Sequence, residues 1–329
     1  MEEAGVAERV LVFGATGFIG SNLVRHLSAS GLRVTVFRRA DSNLRNLEGC
    51  SFDDVVGDLE SPEDVAGAVG NCRVVFNLAA CTSQLDRDAE ERERVNVGFV
   101  KILADTMSRT GGARLIHCSS VATIGFRDKP MILDENSTFD ASGIHYFDTK
   151  KRGEDLILER AGKDLEAVIV NPGTVIGSRG MRTVQARAFL RAATGRLRFY
   201  PPGGTCFAFV DDVVRGMLLA RRRGHSGQRY ILGGTNITFQ EYFIRVARIG
   251  KVRPPGIRLP ARLLPAAGRA MELFLGTMGR DSGRLAAGFG YYSSEKAKRD
   301  LGYEITPLDA ALARMYGELV SPDEGGGGS

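Results

Sequence analysis

Short, uniformly apolar runs alternate with amphipathic stretches through the first half of the chain. The runs fall at Arg9–Phe13, 33–37, Asp53–Val56, 73–78, 115–118 and 167–170. Helical spacing of apolar positions fills 18–30, 62–69, 92–108 and 146–161 between them. Strands that are apolar along their whole length need cover on both faces. The alternation therefore predicts an α/β fold, a doubly wound parallel sheet of the Rossmann type. Beyond about residue 178 the pattern turns mostly helical, at 182–194, 238–249, 261–277 and 306–319, with strand candidates only at 197–200 and 229–232. The expected organisation is a dinucleotide-binding domain over 1–178 and a smaller, mostly helical substrate-binding cap over 179–324. Part of 205–232 is expected to return to the first domain. No internal repeat is visible, and the glycine-rich end at 325–329 reads as a linker or tag.

The first strand runs straight into Gly14-Ala15-Thr16-Gly17-Phe18-Ile19-Gly20, which opens the first helix. A strand that turns on glycines into a helix offers bare backbone N–H groups and a positive helix end to a phosphate. With 41 glycines in 329 residues a lone triplet would say little. Here strand, turn and helix arrive in the order the mechanism needs, and 14–20 reads as a dinucleotide pyrophosphate cradle.

Composition excludes several classes. A chain that is 43% hydrophobic and 25% charged can bury a full core. Its five cysteines form no metal spacing and no even disulfide set, as in a reduced cytoplasmic enzyme. The acidic start Met1-Glu2-Glu3 lacks the charge pattern of a secretory signal. The most membrane-like stretch, 259–278, is broken by Pro260 and Pro265 and carries Arg262, Arg269 and Glu272, so no membrane span is expected. The net charge of +5 invites a nucleic-acid partner, but apart from Arg221-Arg222-Arg223 the basic residues read as spread among acids, and none is expected.

The end of the second strand discriminates between nicotinamide cofactors. An acid there would hold the ribose hydroxyls of NAD; this chain has Arg38-Arg39. Guanidinium groups suit a 2′-phosphate, so NADP(H) is the expected cofactor; the alternative is a solvated surface pair. Asp58 after the third strand is a candidate partner for the adenine amine or else an ordinary turn residue. Leu59 and Ala79 are counted with the cofactor contacts.

Tyr146 and Lys150 stand four residues apart on one helix face. A lysine near a tyrosine is expected to stabilise phenolate and lower the phenol pKa, making a general acid for a carbonyl oxygen. Ser119 or Ser120, closing the fifth strand, would donate to the same oxygen. Asn96 lies in an otherwise apolar helix face and needs a backbone or water partner. His26, His117 and His145 show no metal pattern, and no metal is expected. His117 reads as a satisfied core residue, and His145 as a candidate for the substrate pocket.

Taken together, these residues resemble an extended short-chain dehydrogenase/reductase. The matching stretches are 14–20, Gly57-Asp58-Leu59, Val75-Phe76-Asn77-Leu78-Ala79-Ala80 and Asn96. They continue with Ser119-Ser120 to Gly125, Tyr146/Lys150, Asn171-Pro172-Gly173, Phe209-Val210-Asp211-Asp212-Val213, and Tyr292-Ser293-Ser294 to Leu301-Gly302-Tyr303. The chain is most similar to the dihydroflavonol-reductase and 3β-hydroxysteroid-dehydrogenase branch. The resemblance implies Ser120 rather than Ser119 as the catalytic serine, because it stands five positions before Gly125. It also implies Tyr146 as acid/base, Lys150 on the nicotinamide ribose, and Asn96 ordering a proton-relay water. Arg39 aligns with the arginine that holds the 2′-phosphate, and Pro172 and Gly173 would flank the nicotinamide. Many relatives dimerise through the two helices matching 92–108 and 146–161, so the resemblance leaves a homodimer open to this chain.

Two departures bear on substrate. Sugar-nucleotide epimerases and dehydratases carry Asn three residues before the glycine matched by Gly177, and Arg five before Val210, to hold a diphosphate. This chain has Thr174 and Thr205. Asn77 stands where many members have His. The expected activity is therefore NADP(H)-dependent interconversion of a ketone and a secondary alcohol. The apolar cap segment 259–278 suggests a hydrophobic or polycyclic substrate. The alternatives are a sugar-nucleotide epimerase or dehydratase with tightly held NAD, and a non-catalytic NADP-binding regulator.

Overall fold

Val10 and Val12 face one side of the first strand, Leu11 and Phe13 the other, and all four are fully buried. The computed structural model describes residues 8–70, 72–140, 143–179, 184–275 and 279–320. The central sheet has seven parallel strands: Arg9–Phe13 (β1), Arg33–Arg38 (β2), Asp53–Val56 (β3), Val74–Asn77 (β4), Arg114–Cys118 (β5), Ala167–Pro172 (β7) and Arg229–Leu232 (β11). Their spatial order is β3-β2-β1-β4-β5-β7-β11. The order reverses between β1 and β4, where a doubly wound sheet opens its ligand crevice.

Helices cover both faces, as strands buried on both sides require. Phe18–Ala29 (α1), Val210–Arg223 (α7) and Glu295–Leu301 (α11) enclose the core around Val10, Val12 and Tyr230. On the other face Pro62–Val69 (α2), Ala89–Glu93 (α3), Val100–Thr110 (α4) and His145–Leu158 (α5) lie over the sheet. There Phe13, Phe99, Leu103 and Ile169 form a second core. The segment read as one helix over 92–108 is divided: between α3 and α4 a π-helical turn spans Arg94–Phe99. α7 and α11 were not among the helices expected from spacing.

A second sheet was also not anticipated. It holds Ile132–Leu133 (β6), Thr174–Ile176 (β8), Gly204–Phe209 (β10), Thr235–Thr238 (β12) and Phe289–Tyr292 (β14), in the order β12-β10-β14-β6 with β8 beside β10. Val184–Ala193 (α6), Phe239–Ile249 (α8) and Leu308–Val320 (α12) surround a third core that includes Phe189, Tyr242 and Met315. Phe199–Tyr200 (β9) and Ile257–Arg258 (β13) pair as a separate ribbon. Leu264–Leu275 (α9) follows a 3-10 turn, and Arg280–Ala287 (α10) packs against it. Residues 276–278 of the expected 261–277 helix and 259–278 wall, the acidic start and the 325–329 tail lie outside the described residues. No described helix is long and apolar enough to cross a membrane.

Candidate active site

β1 hands over to α1 through the glycine turn, and two of its glycines are fixed by close approach. Gly14 adopts φ +73°, and a Cβ there would lie 2.5 Å from the Ala79 nitrogen. A Cβ on Gly20 would lie 2.1 Å from the Gly14 carbonyl oxygen. α1 begins after Gly17 with no side-chain cap and no acid in its first turn. Its first N–H groups therefore point out of the turn with no acceptor among the described residues beyond the turn itself, the arrangement that accepts a diphosphate. The Thr16 carbonyl accepts from Asn46 Nδ2 at 3.4 Å, Ile19 packs against the sheet core, and Phe18 packs toward the cap. The cradle thus fits a dinucleotide.

The two arginines after β2 have different surroundings. Arg38 is held on Asp54 of β3 by two hydrogen bonds, Nε to Oδ1 at 2.8 Å and Nη2 to Oδ2 at 2.7 Å. The parallel β2–β3 register places Asp54 opposite Val36, which brings the carboxylate within reach of Arg38. The Arg39 side chain is 62% exposed, and its nearest carboxylates, Asp41 and Glu91, lie at 3.6 and 3.8 Å. The structure thus does not present a guanidinium pair at this edge; Arg39 is the accessible member. Asp58 is exposed and its Oδ1 accepts from the Glu60 nitrogen at 2.9 Å, a local turn bond, while Leu59 packs on the second core. The Ala79 nitrogen donates to Asn77 Oδ1 at 3.1 Å, and Asn77 Nδ2 meets His117 Nδ1 at 3.1 Å. Asn77 therefore ties the loop after β4 to β5, a role its sequence position did not reveal.

Ser120, Tyr146 and Lys150 converge at the carboxyl end of β5. Ser120 Oγ accepts from the Ala122 nitrogen at 3.1 Å and lies near enough to the Tyr146 phenol to act on its pKa. Ser119 precedes it with its hydroxyl buried and without a hydrogen-bond partner among the described residues. Lys150 Nζ donates to the Cys118 carbonyl at 3.2 Å and is almost fully buried. Burial lowers the Lys150 pKa, with Cys118 and Glu154 pulling the other way. The expected lowering of the phenol pKa is corrected here: burial pushes Tyr146 up to about 12, and Ser120 opposes this only in part. The geometric reason is that the ammonium is directed at the β5 backbone.

Asn96 lies in the π-helical turn. Its Oδ1 accepts from the Cys81 nitrogen at 3.0 Å, and its Nδ2 donates to the Cys81 carbonyl at 3.0 Å and to Thr149 Oγ1 at 3.2 Å. The side chain thereby joins the loop after β4 to α5. One turn beyond Lys150, a Cβ on Gly153 would stand 2.1 Å from the Asn96 carbonyl oxygen, so α5 and the π turn touch backbone to backbone.

Beneath the triad lies a buried network that the motif search passed over. Glu154 Oε2 accepts from Asn171 Nδ2 at 2.7 Å and Thr123 Oγ1 at 2.8 Å, and Arg229 Nε lies 3.3 Å from Oε1. The available signal was a glutamate four residues after Lys150 on the same helix face. Pro172 closes β7, and a Cβ on Gly173 would lie 2.7 Å from the Cys206 carbonyl oxygen. Thr174 Oγ1 and Thr205 Oγ1 are hydrogen-bonded to each other at 2.8 Å.

The histidines are engaged locally. His26 Nδ1 contacts the Asn22 carbonyl oxygen at 3.0 Å. His117 is buried, and desolvation holds it neutral by lowering its pKa well below the usual value, with Lys150 adding to the effect. His145 accepts from Arg92 Nε at 3.0 Å on Nδ1 and meets Glu93 Oε1 at 3.2 Å on Nε2, so both ring nitrogens are taken. No cluster of three or more His, Cys, Asp or Glu among the described residues is arranged to hold a metal.

Residues 10–233 match the model of the NAD dependent epimerase/dehydratase family. The chain belongs to that family. Within this epimerase/dehydratase family it is 32% identical over 321 residues to a putative dihydroflavonol 4-reductase of Synechocystis sp., covering 94% of this chain and 93% of the relative. It is 30% identical over 318 residues to sterol demethylase protein B of Methylococcus capsulatus, covering 92% and 95%. The crystal structure of gox2253 superposes with a TM-score of 0.82 at 32% identity over 95% of this chain and 99% of that one. The chain is thus an extended short-chain dehydrogenase/reductase by sequence and by fold.

Proposed function

We propose that this protein is an NADP(H)-dependent reductase that converts a hydrophobic ketone to a secondary alcohol. The observation that carries the reading is that Ser120, Tyr146 and Lys150 gather at the carboxyl end of β5, the same end of the parallel sheet at which β1 opens into the glycine cradle. The dinucleotide would lie on Gly14, Gly17 and the α1 N-terminus, with Arg39 toward its 2′-phosphate and Lys150, Pro172 and Gly173 around its nicotinamide end. When bound, it supplies the hydride. The Tyr146 phenol delivers the proton to the substrate oxygen, and Ser120 Oγ orients that oxygen through a second hydrogen bond. A phenol with a raised pKa keeps its proton through the neutral range, so the proton that reduction consumes is in place there.

Substrate class is argued from Thr174 and Thr205. They occupy the positions that hold a diphosphate in sugar-nucleotide enzymes, and here each hydroxyl is satisfied by the other. A polar anion would find no charge there. The names of the two relatives point the same way, one a flavonol-type reductase and the other acting in sterol demethylation.

The test is NADPH oxidation with a panel of steroid-like and flavonoid-like ketones, run beside UDP- and dTDP-sugars. Turnover of an apolar ketone with NADPH supports the reading. Purified protein that carries NAD and interconverts a nucleotide sugar overturns it.

A further inference from the structure

The cap carries an unpaired surface of unusual composition. Between Phe199 and Leu273 lie four of the seven large apolar side chains exposed among the described residues: Phe199 (49%), Ile257 (53%), Leu263 (55%) and Leu273 (71%). Phe199 and Ile257 are direct register partners in the β9–β13 ribbon, and the Leu259 nitrogen extends the pairing to the Tyr200 carbonyl at 2.9 Å. The chain continues from β13 into the 3-10 turn and α9. There Leu263, Ala266, Ala267, Ala270 and Leu273 recur at intervals of three and four and are all exposed. That spacing puts them on one helix face. The opposite side of α9, with Leu264 and Gly268, is the buried one.

Charge along this segment is positive up to Glu272 of α9, whose carboxylate accepts from the Asp86 nitrogen. From 242 to 271 the sequence has seven basic residues and no Asp or Glu, and no acid occurs between Glu166 and Asp211. Arg253, Arg258, Arg262 and Arg269 are all exposed, Arg258 following Ile257 and Arg262 preceding Leu263 in the chain, and the exposed Arg196 and Arg198 come just before β9. Among the described residues none of these six arginines has an ion pair. By contrast, Arg33, Arg38 and Arg114 at the central sheet each meet a carboxylate. The sequence-level impression of bases mixed with acids fails for this segment.

We infer that the β9–β13 ribbon and the outer face of α9 form a docking surface for an anionic lipid bilayer. An aliphatic stripe requires an apolar phase, and arginines flanking it require negative charge at the boundary of that phase. A bilayer with acidic headgroups meets both requirements at once. A nucleic acid would leave the leucines uncovered. A second copy placed symmetrically would bring arginine against arginine with no carboxylate between them. The surface is joined to the mouth of the crevice. α10 packs on α9, Ser282 donates to Gln84 Oε1 at 2.6 Å, Arg284 donates to the Gly143 carbonyl at 3.1 Å, and Leu285 packs on the small core of Ala122, Ile144 and Phe147 against which Tyr146 also lies. Docking would bring that mouth close to a lipid phase, and it stands whatever the substrate proves to be.

The experiment is co-sedimentation of the full chain with vesicles of phosphatidylcholine alone or with about 30% phosphatidylglycerol, at low and high salt. The expected result is binding to the anionic vesicles that weakens with salt. Arg253→Glu/Arg258→Glu/Arg262→Glu is expected to lower the partition on the order of 100-fold. Leu263→Ser/Leu273→Ser is expected to lower it roughly tenfold or more. Both variants alter exposed positions and are expected to keep the wild-type thermal midpoint within about 2 °C, which separates lost docking from lost folding. Wild-type protein that stays in the supernatant with anionic vesicles overturns the proposal, as does equal binding by the variants. Duplex DNA binding that the arginine variant abolishes, without vesicle binding, also overturns it. So does a wild-type dimer that the leucine variant turns monomeric, again without vesicle binding.

Discussion

Thr174 Oγ1 and Thr205 Oγ1 share one hydrogen bond at 2.8 Å, joining the short strand β8 to β10 beside the crevice. Each hydroxyl has the other as partner, and neither brings charge. UDP-glucose at about 1 mM is therefore expected to leave the thermal midpoint within about 1 °C, whereas NADP should raise it by several degrees. A nucleotide-sugar shift as large as the NADP shift would count against the reductase reading.

Arg39 is the exposed guanidinium at the end of β2, while Arg38 is committed to Asp54. Arg39→Ala should weaken NADPH binding by about 10- to 100-fold, the range for a charge-assisted pair, and leave NADH binding unchanged. Arg38→Ala should leave the NADPH/NADH ratio unaltered. Fluorescence titration of both nucleotides against each variant separates the two roles.

Tyr146→Phe should cut kcat for ketone reduction by roughly 100- to 10,000-fold while NADPH affinity is retained. The wild-type pH profile carries a further expectation. Because the folded phenol is pushed up to about 12, it holds its proton through the neutral and mildly alkaline range. Reduction should then be flat across that range with respect to this group. Alcohol oxidation, which needs the phenolate, should rise with pH throughout it. A reduction rate that falls near pH 7 through loss of the Tyr146 proton would contradict the assignment.

Glu154 is fully buried and faces Arg229 at 3.3 Å. Arg229→Ala strands that carboxylate and should cost about 3–5 kcal/mol, seen as a clear drop in the thermal midpoint. Replacing both residues by apolar ones of similar volume should recover much of the loss. If the single variant melts like the wild type, the pair has little structural weight.

Much of this architecture is written in local pattern. The apolar runs that became β1, β2, β4, β5 and β7 needed only burial on both faces to be legible, and Gly14 to Gly20 followed one of them directly. The second sheet was not legible. β6 spans two residues and β8 three, and strands so short exist only through partners far along the chain. The π turn at Arg94–Phe99 has the same apolar spacing as an α-helix, so its insertion left no trace in the pattern. At the site, Tyr146, Lys150 and Ser120 carry their chemistry in their identity. The capture of Arg38 by Asp54 depends on the β2–β3 register, and the phenol's raised pKa depends on how deeply its surroundings are desolvated. Neither can be read from spacing.

The absence of a side chain at Gly153 fixes how closely α5, which carries Tyr146, packs on the π turn. Because the Asn96 carbonyl fills the space a methyl group would need, even alanine at 153 would push α5 outward and carry Tyr146 with it. On the proposed reading, how closely the Tyr146 phenol approaches a ketone is thus governed from behind, by backbone contact with the π turn. Attempts to redesign specificity from the front of the crevice inherit that fixed setting.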